Sequence, residues 1–123
     1  MNAMIQKIES MRKAGLYDKI VDTINADDYY SASSFGLTVK GRCIQLGTKD
    51  VRLSEVEKCF KKAIALDPNC VEAMIELAWF YHSVKDDPKR ARTWFNRALQ
   101  IVKLQHKEIR KGLGQVEEEI AAN

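Results

Sequence analysis

"VEAMIELAWFYHSVKDDPKRARTWFNRAL", residues 71–99, holds both tryptophans of the chain and decides its architecture. Apolar or small side chains fall at Met74, Leu77, Ala78 and Tyr81, steps of three, one and three. Such steps place them on one side of a helix that turns every 3.6 residues. The polar break "KDDP" interrupts the stripe, which resumes at Ala91, Trp94, Phe95, Ala98, Leu99 and Ile101. Pro88 falls just inside the second segment, where a missing N–H is harmless, and Asp86 or Asp87 is placed to cap it. The stretch predicts a helix, a tight turn and a second helix.

The segment before it repeats half of this pattern. In "VEKCFKKAIALDPNC", residues 56–70, the stripe is Val56, Phe60, Ala63 and Leu66, and it stops at Asp67-Pro68-Asn69. A residue preceding proline is pushed out of the α region, so the helix ends there, and Asn69 is placed to start the next one. Phe60–Ala63 and Phe95–Ala98 have the same spacing, and the two phenylalanines are 35 positions apart. A fixed interval of this size is the signature of a repeat built from one supersecondary unit.

Composition agrees with helices. In 123 residues, 46% are hydrophobic and 30% charged, with six glycines and two prolines. That is too apolar for a disordered chain and too poor in turn residues for a many-stranded β fold. The length fits one domain with one modest core. A net charge of +3 with interspersed signs gives no argument for nucleic acid. Cys43, Cys59 and Cys70 form an odd set without a C-x-x-C pair, so structural thiols in a reducing compartment are expected rather than disulfides or zinc. "MNAMIQKIESMRKAG" has no uninterrupted apolar run, and "MIELAWFY" is far short of a membrane span. The expected location is cytoplasmic, without membrane association.

Met74, Leu77, Ala78, Tyr81, then Ala91, Phe95 and Ala98, with "ALDPN" upstream, resemble the tetratricopeptide repeat, a helical hairpin of about 34 residues that stacks into a solenoid. The resemblance covers Val56 to Ile101. Met74 stands where the family has tryptophan, and "SVKDDPKR" is one residue longer than the standard turn. The resemblance implies an all-α, right-handed solenoid of about three units in a single domain. Leu37, Gly41 and Ile44 repeat the first-helix spacing behind the helix-start residues "SASS", with "GTKDVRLS" adding about three residues to the connection that follows. Met4, Ile8 and Met11, the Gly15-x-Tyr17 turn, and Ile20, Val21 and Ile24 extend it upstream. Residues 1–28 are therefore a degenerate first hairpin, 31–68 the second, and 71–104 the best-matching repeat. Ile109, Leu113, Val116 and Ile120 place a capping helix at 106–121. Its charges run from basic to "EEE", against the helix dipole, so its end is expected to fray.

Motifs with chemical meaning do not assemble into a catalyst. Gly36 to Gly41 has phosphate-loop spacing, but Arg42 and Cys43 replace the required lysine and hydroxyl, and the segment is helical. Small residues for close packing explain it better. His82 and His106 lie far apart and have no paired ligands. Asp27–Asp28, Asp86–Asp87 and Glu117 to Glu119 sit at expected loops or a helix end. Lys85, Lys89, Arg90, Arg92 and Arg97 are expected on a solvated convex face. The chain is expected to be no enzyme and to need no cofactor or metal.

In the family, first helices line a concave groove. By that resemblance Ile75, Trp79 and His82, spaced four and three apart, form a groove-facing row. Thr38, Arg42 and Gln45 join it from the preceding first helix, and Lys107 and Arg110 from the cap. The implied role is a protein-binding adaptor that docks a peptide or helix, with Trp79 and Ile75 as anchors and Arg42 or Arg110 supplying polarity. Trp79 packed against the adjacent hairpin is the alternative placement. The family's carboxylate-clamping subtype has lysine and asparagine where this chain has Ile75 and Trp79, which disfavours chaperone tails as ligands. A dedicated chaperone or immunity-type partner of one cognate protein uses the same scaffold. An RNA-binding repeat is the remaining reading.

Overall fold

The computed structural model describes residues 2–48 and 53–123. Lys49 to Arg52, the middle of the lengthened "GTKDVRLS" connection, lie outside the described residues. Among the described residues the chain is all-α. The order is α1 (Ala3–Lys13), α2 (Tyr17–Asn25), one 3₁₀ turn (Tyr30–Ala32), α3 (Ser34–Leu46), α4 (Leu53–Leu66), α5 (Val71–Ser83) and α6 (Pro88–Ala122).

Local chemistry sets the ends. The Asn2 side chain accepts from the Met4 N–H at 2.7 Å, and Ser33 Oγ accepts from the Gly36 N–H at 2.9 Å, each satisfying a helix-start donor. Gly15 turns the chain between α1 and α2 with φ +72°, which only glycine adopts cheaply. Pro68 stops α4 at Leu66, and the Asn69 N–H closes a turn onto Asp67 Oδ1. The next helix starts at Val71, with Cys70 at its cap position and no side-chain cap. Of the two candidate caps for α6, Asp87 does the work, accepting from the Arg90 N–H at 3.1 Å, with Pro88 in the first turn.

Each helix packs on its neighbour in sequence, and α3 also touches α5. The larger core joins Leu37 of α3, Val56, Phe60 and Ala63 of α4, Met74, Leu77 and Tyr81 of α5, and Ala91 and Ala98 of α6. The smaller one joins Ile8, Met11, Ile20, Ile24 and Cys43. Burial of a side chain such as Phe60 contributes roughly 1.5–3 kcal/mol. A methyl group on Gly41 would stand 2.6 Å from the Phe60 ring, so glycine there lets α3 close on α4. Buried surroundings push the Cys43 and Cys59 thiols above their ordinary pKa.

A polar link ties α5 to α4 at the edge of the core. Tyr81 donates its hydroxyl to Glu57 Oε1 at 2.7 Å, and Lys61 Nζ reaches the same oxygen at 2.9 Å. Partial burial disfavours the Glu57 carboxylate, but the hydrogen bonds from Lys61 and Tyr81 outweigh it and hold the pKa below the ordinary carboxylate range. Burial, then the bond to Glu57, pushes the Tyr81 phenol up.

Two expectations need correction. The capping helix at 106–121 is not a separate element: α6 runs unbroken for 35 residues, continuing the second helix of the best-matching repeat. The sequence from Ala98 to Lys111 holds no glycine or proline that would turn the chain back. That helix continues to Ala122. Leu66 and Leu99, placed on core stripes above, are about half exposed, because α4 ends at the first and no later helix covers the second.

Candidate functional site

A hollow of about 440 Å³ opens between α1 and α3, helices that do not pack on each other, and reaches the first turn of α5. Its walls are Ile5 and Ile8 from α1, Tyr17 and Ile20 from α2, and Phe35, Val39 and Leu46 from α3. Phe35, Val39, Arg42 and Leu46 are spaced four, three and four, so one face of α3 supplies them all. Phe35 and Leu46 are exposed and Val39 is half-buried, leaving apolar surface open to a ligand. Glu9, Arg12, Arg42 and Glu72 bring charge to the lining.

The two arginines already have partners. Arg12 grips Glu9 with two bonds, Nε to Oε1 at 3.1 Å and an NH2 group to Oε2 at 2.8 Å. This fork lowers the Glu9 pKa and raises that of Arg12. Arg42 donates from Nε to Glu76 Oε1 at 3.0 Å, linking α3 to α5. The hollow is thus an apolar floor with two paired arginines and the Glu72 carboxylate at its rim, not an open cation cluster.

On either side of Glu76, α5 presents the predicted row. Ile75 is 37% and Trp79 52% exposed, and His82 is exposed beside Trp79 with ring centroids 5.6 Å apart. Trp79 also meets Phe95 of α6 edge-on at 5.1 Å, so it packs on the adjacent helix with one side and faces solvent with the other. Arg42 reaches this row through Glu76, and Gln45 lies exposed one turn further along α3. Thr38 is buried at the edge of a separate hollow that it shares with Ser34, Cys70 and Gln105, its hydroxyl bonded to the Ser34 carbonyl and 3.8 Å from Cys70 Sγ. Lys107 and Arg110 are exposed on the outer half of α6. Lys107 stands twelve residues past Phe95, roughly 18 Å along the helix axis, and does not join the row.

Sequence reasoning missed Phe35, Val39 and Leu46. The row expected on α3 was Thr38, Arg42 and Gln45, of which Arg42 borders the hollow, with Val39 and Leu46 beside it. The signal was present: three large apolar residues at steps of four and seven, on a side of α3 other than the Leu37, Gly41 and Ile44 stripe. The basic cluster also has a structural explanation. Arg90 stacks on Tyr81 at 5.4 Å, Arg97 on Trp94 at 4.6 Å, and Lys85 approaches Phe80 at 5.9 Å. No group of three His, Cys, Asp or Glu among the described residues is arranged to hold a metal ion, and no described helix is long and apolar enough to cross a membrane. Compared with family models, curated proteins and solved structures, the chain matches none of them.

Proposed function

We propose that this chain is a tetratricopeptide-like stack of three helical hairpins that acts without catalysis, holding a segment of a partner protein against α1, α3 and α5. The observation that carries this reading is the hollow walled by Ile5, Phe35, Val39 and Leu46, whose two rim arginines are paired with Glu9 and Glu76 before any ligand arrives. Apolar surface left open beside satisfied polar groups favours an apolar side chain, since its entry releases water without stranding a charge. Paired rim charges provide little long-range steering, so affinity comes from contact, and Arg42 and Arg12 orient the segment through their remaining donors. Ile75 and Trp79 extend the same surface one turn along α5 and serve as a second anchor.

The test uses the chain as bait in its native host, with Val39→Glu, Trp79→Ala and Lys89→Ala beside it. The expected outcome is a retained protein whose binding falls by about 2 kcal/mol, roughly thirtyfold in Kd, with either of the first two changes. Lys89→Ala, on the opposite side of the last hairpin's turn, leaves it unchanged. Equal retention by Val39→Glu and the wild type would refute the hollow as the binding surface.

A further inference from the structure

Ile101 is the last apolar residue of α6 packed against the larger core, and Gln105 still borders a hollow with Thr38 and Cys70; past them the helix runs on beyond α5. Leu99, Val102, Ile109, Leu113, Val116 and Ile120 are all at least 44% exposed, and with His106 they recur at steps of three and four. This is the seven-residue alternation of a coiled-coil seam, sustained over more than three heptads. Seam and charge both argue that the segment is not built to stand alone. A single helix in water is marginal at this length, and here basic residues precede acidic ones, against the helix dipole.

The charges also indicate what covers the seam. Residues 103–111 carry Lys103, Lys107, Arg110 and Lys111 against the one acid Glu108, whereas residues 112–120 carry Glu117, Glu118 and Glu119 and no cation. A second copy laid parallel would set like charge on like. Laid antiparallel, it sets each basic half on an acidic half. From this geometry we propose that two copies of the chain associate through antiparallel pairing of residues 99–122 of α6.

The register follows from the seam. Ile109 of one copy faces Leu113 of the other, Val102 faces Ile120, and His106 faces Val116, each contact occurring twice about a two-fold axis. Lys103 then lies beside Glu117 of the other copy on the rim. The axis passes near Gly112, where the absence of a side chain leaves room for the two Arg110 side chains to splay outward. Leu99 falls opposite Asn123, so the two stacks sit beyond opposite ends of the paired segment and do not collide. None of the paired residues lines the hollow between α1 and α3, so failure of the pairing and failure of that site are told apart.

Sedimentation of the full chain across about 1–100 µM tests the pairing. The wild type is expected to approach twice its 14.1 kDa mass, and Leu113→Glu to remain a single chain with its melting midpoint otherwise retained. Lys103→Glu alone, or Glu117→Lys alone, should weaken association roughly fivefold, each converting two rim attractions into repulsions. The double exchange should restore it, because opposite charges meet again. A single-chain mass for the wild type at 100 µM, persistent pairing of Leu113→Glu, or no recovery in the double exchange would each overturn the antiparallel contact.

Discussion

The two ends of α6 carry similar apolar spacing and meet opposite fates. Ala91 and Ala98 are buried against α5, with Trp94 and Phe95 half-buried beside them, while Ile109 is 68% and Leu113 55% exposed. Helical periodicity is common to both, so periodicity alone does not bury a residue: a second surface has to lie within reach. The first three turns of α6 have that surface because Asp87 and Pro88 fold the chain back onto α5. Ile101 and Gln105 mark the edge of that surface, and the turns from Ile109 onward are exposed. Stability is therefore concentrated in the stack, and the outer half of the helix is free to serve association.

The sharpest way to break this comparison is to remove matched apolar groups from the two regions. Phe60→Ala should cost about 3–5 kcal/mol in urea unfolding, because the ring is fully buried where α3, α4 and α5 meet. Ile109→Ala, measured in dilute protein, should change the same midpoint by less than about 0.5 kcal/mol, as exposed substitutions do. A comparable loss at both positions would mean that the outer helix belongs to the folding core. A smaller effect is expected from overpacking. Gly41→Ala should cost about 1–3 kcal/mol, since the Phe60 ring must move to admit the methyl group, and unaltered stability would show that α3 and α4 have room to spare.

The smallest expected effect is electrostatic and belongs to the stack alone. Glu57 has a lowered pKa in the folded chain, so it binds fewer protons than its unfolded counterpart as the solution is acidified. Its stabilising contribution is present above the unfolded carboxylate pKa and is lost as pH falls through the folded one. The carboxylate is partly solvated, which limits the contribution to about 1 kcal/mol or less. Glu57→Gln should thus lower the melting temperature near neutral pH and lose that difference in acid. A difference that grew on acidification would contradict the Tyr81–Glu57–Lys61 link.

The sequence made the helices and their core legible where burial and local chemistry agree. Met74, Leu77, Ala78 and Tyr81 are all buried, as are Val56, Phe60 and Ala63, and the breaks at Asp67-Pro68 and Asp87-Pro88 carry their own physical causes. Phe80, also buried, was hidden because α5 is apolar on nearly every side, which blurs the stripe. The length of α6 was misjudged because a helix that turns back to cap a stack and one that runs straight can share the same stripe, and only the missing breaker separates them. Of the candidate site, Ile75, Trp79 and Arg42 stand at open surface as expected. Thr38 does not, because the start of α5 closes over it at Cys70, a contact between distant segments that spacing within one helix cannot reveal.

Amide hydrogen exchange along α6, followed as the protein is diluted, tests most directly the claim that one helix spans two environments. Amides of residues 91–98 should remain protected at every concentration, because opening them requires opening the stack. Those of residues 104–120 should lose protection on dilution as pairing is lost and the bare helix opens locally. Protection that stays level along the whole helix at the lowest concentration, or that rises and falls in both halves together, would contradict the division.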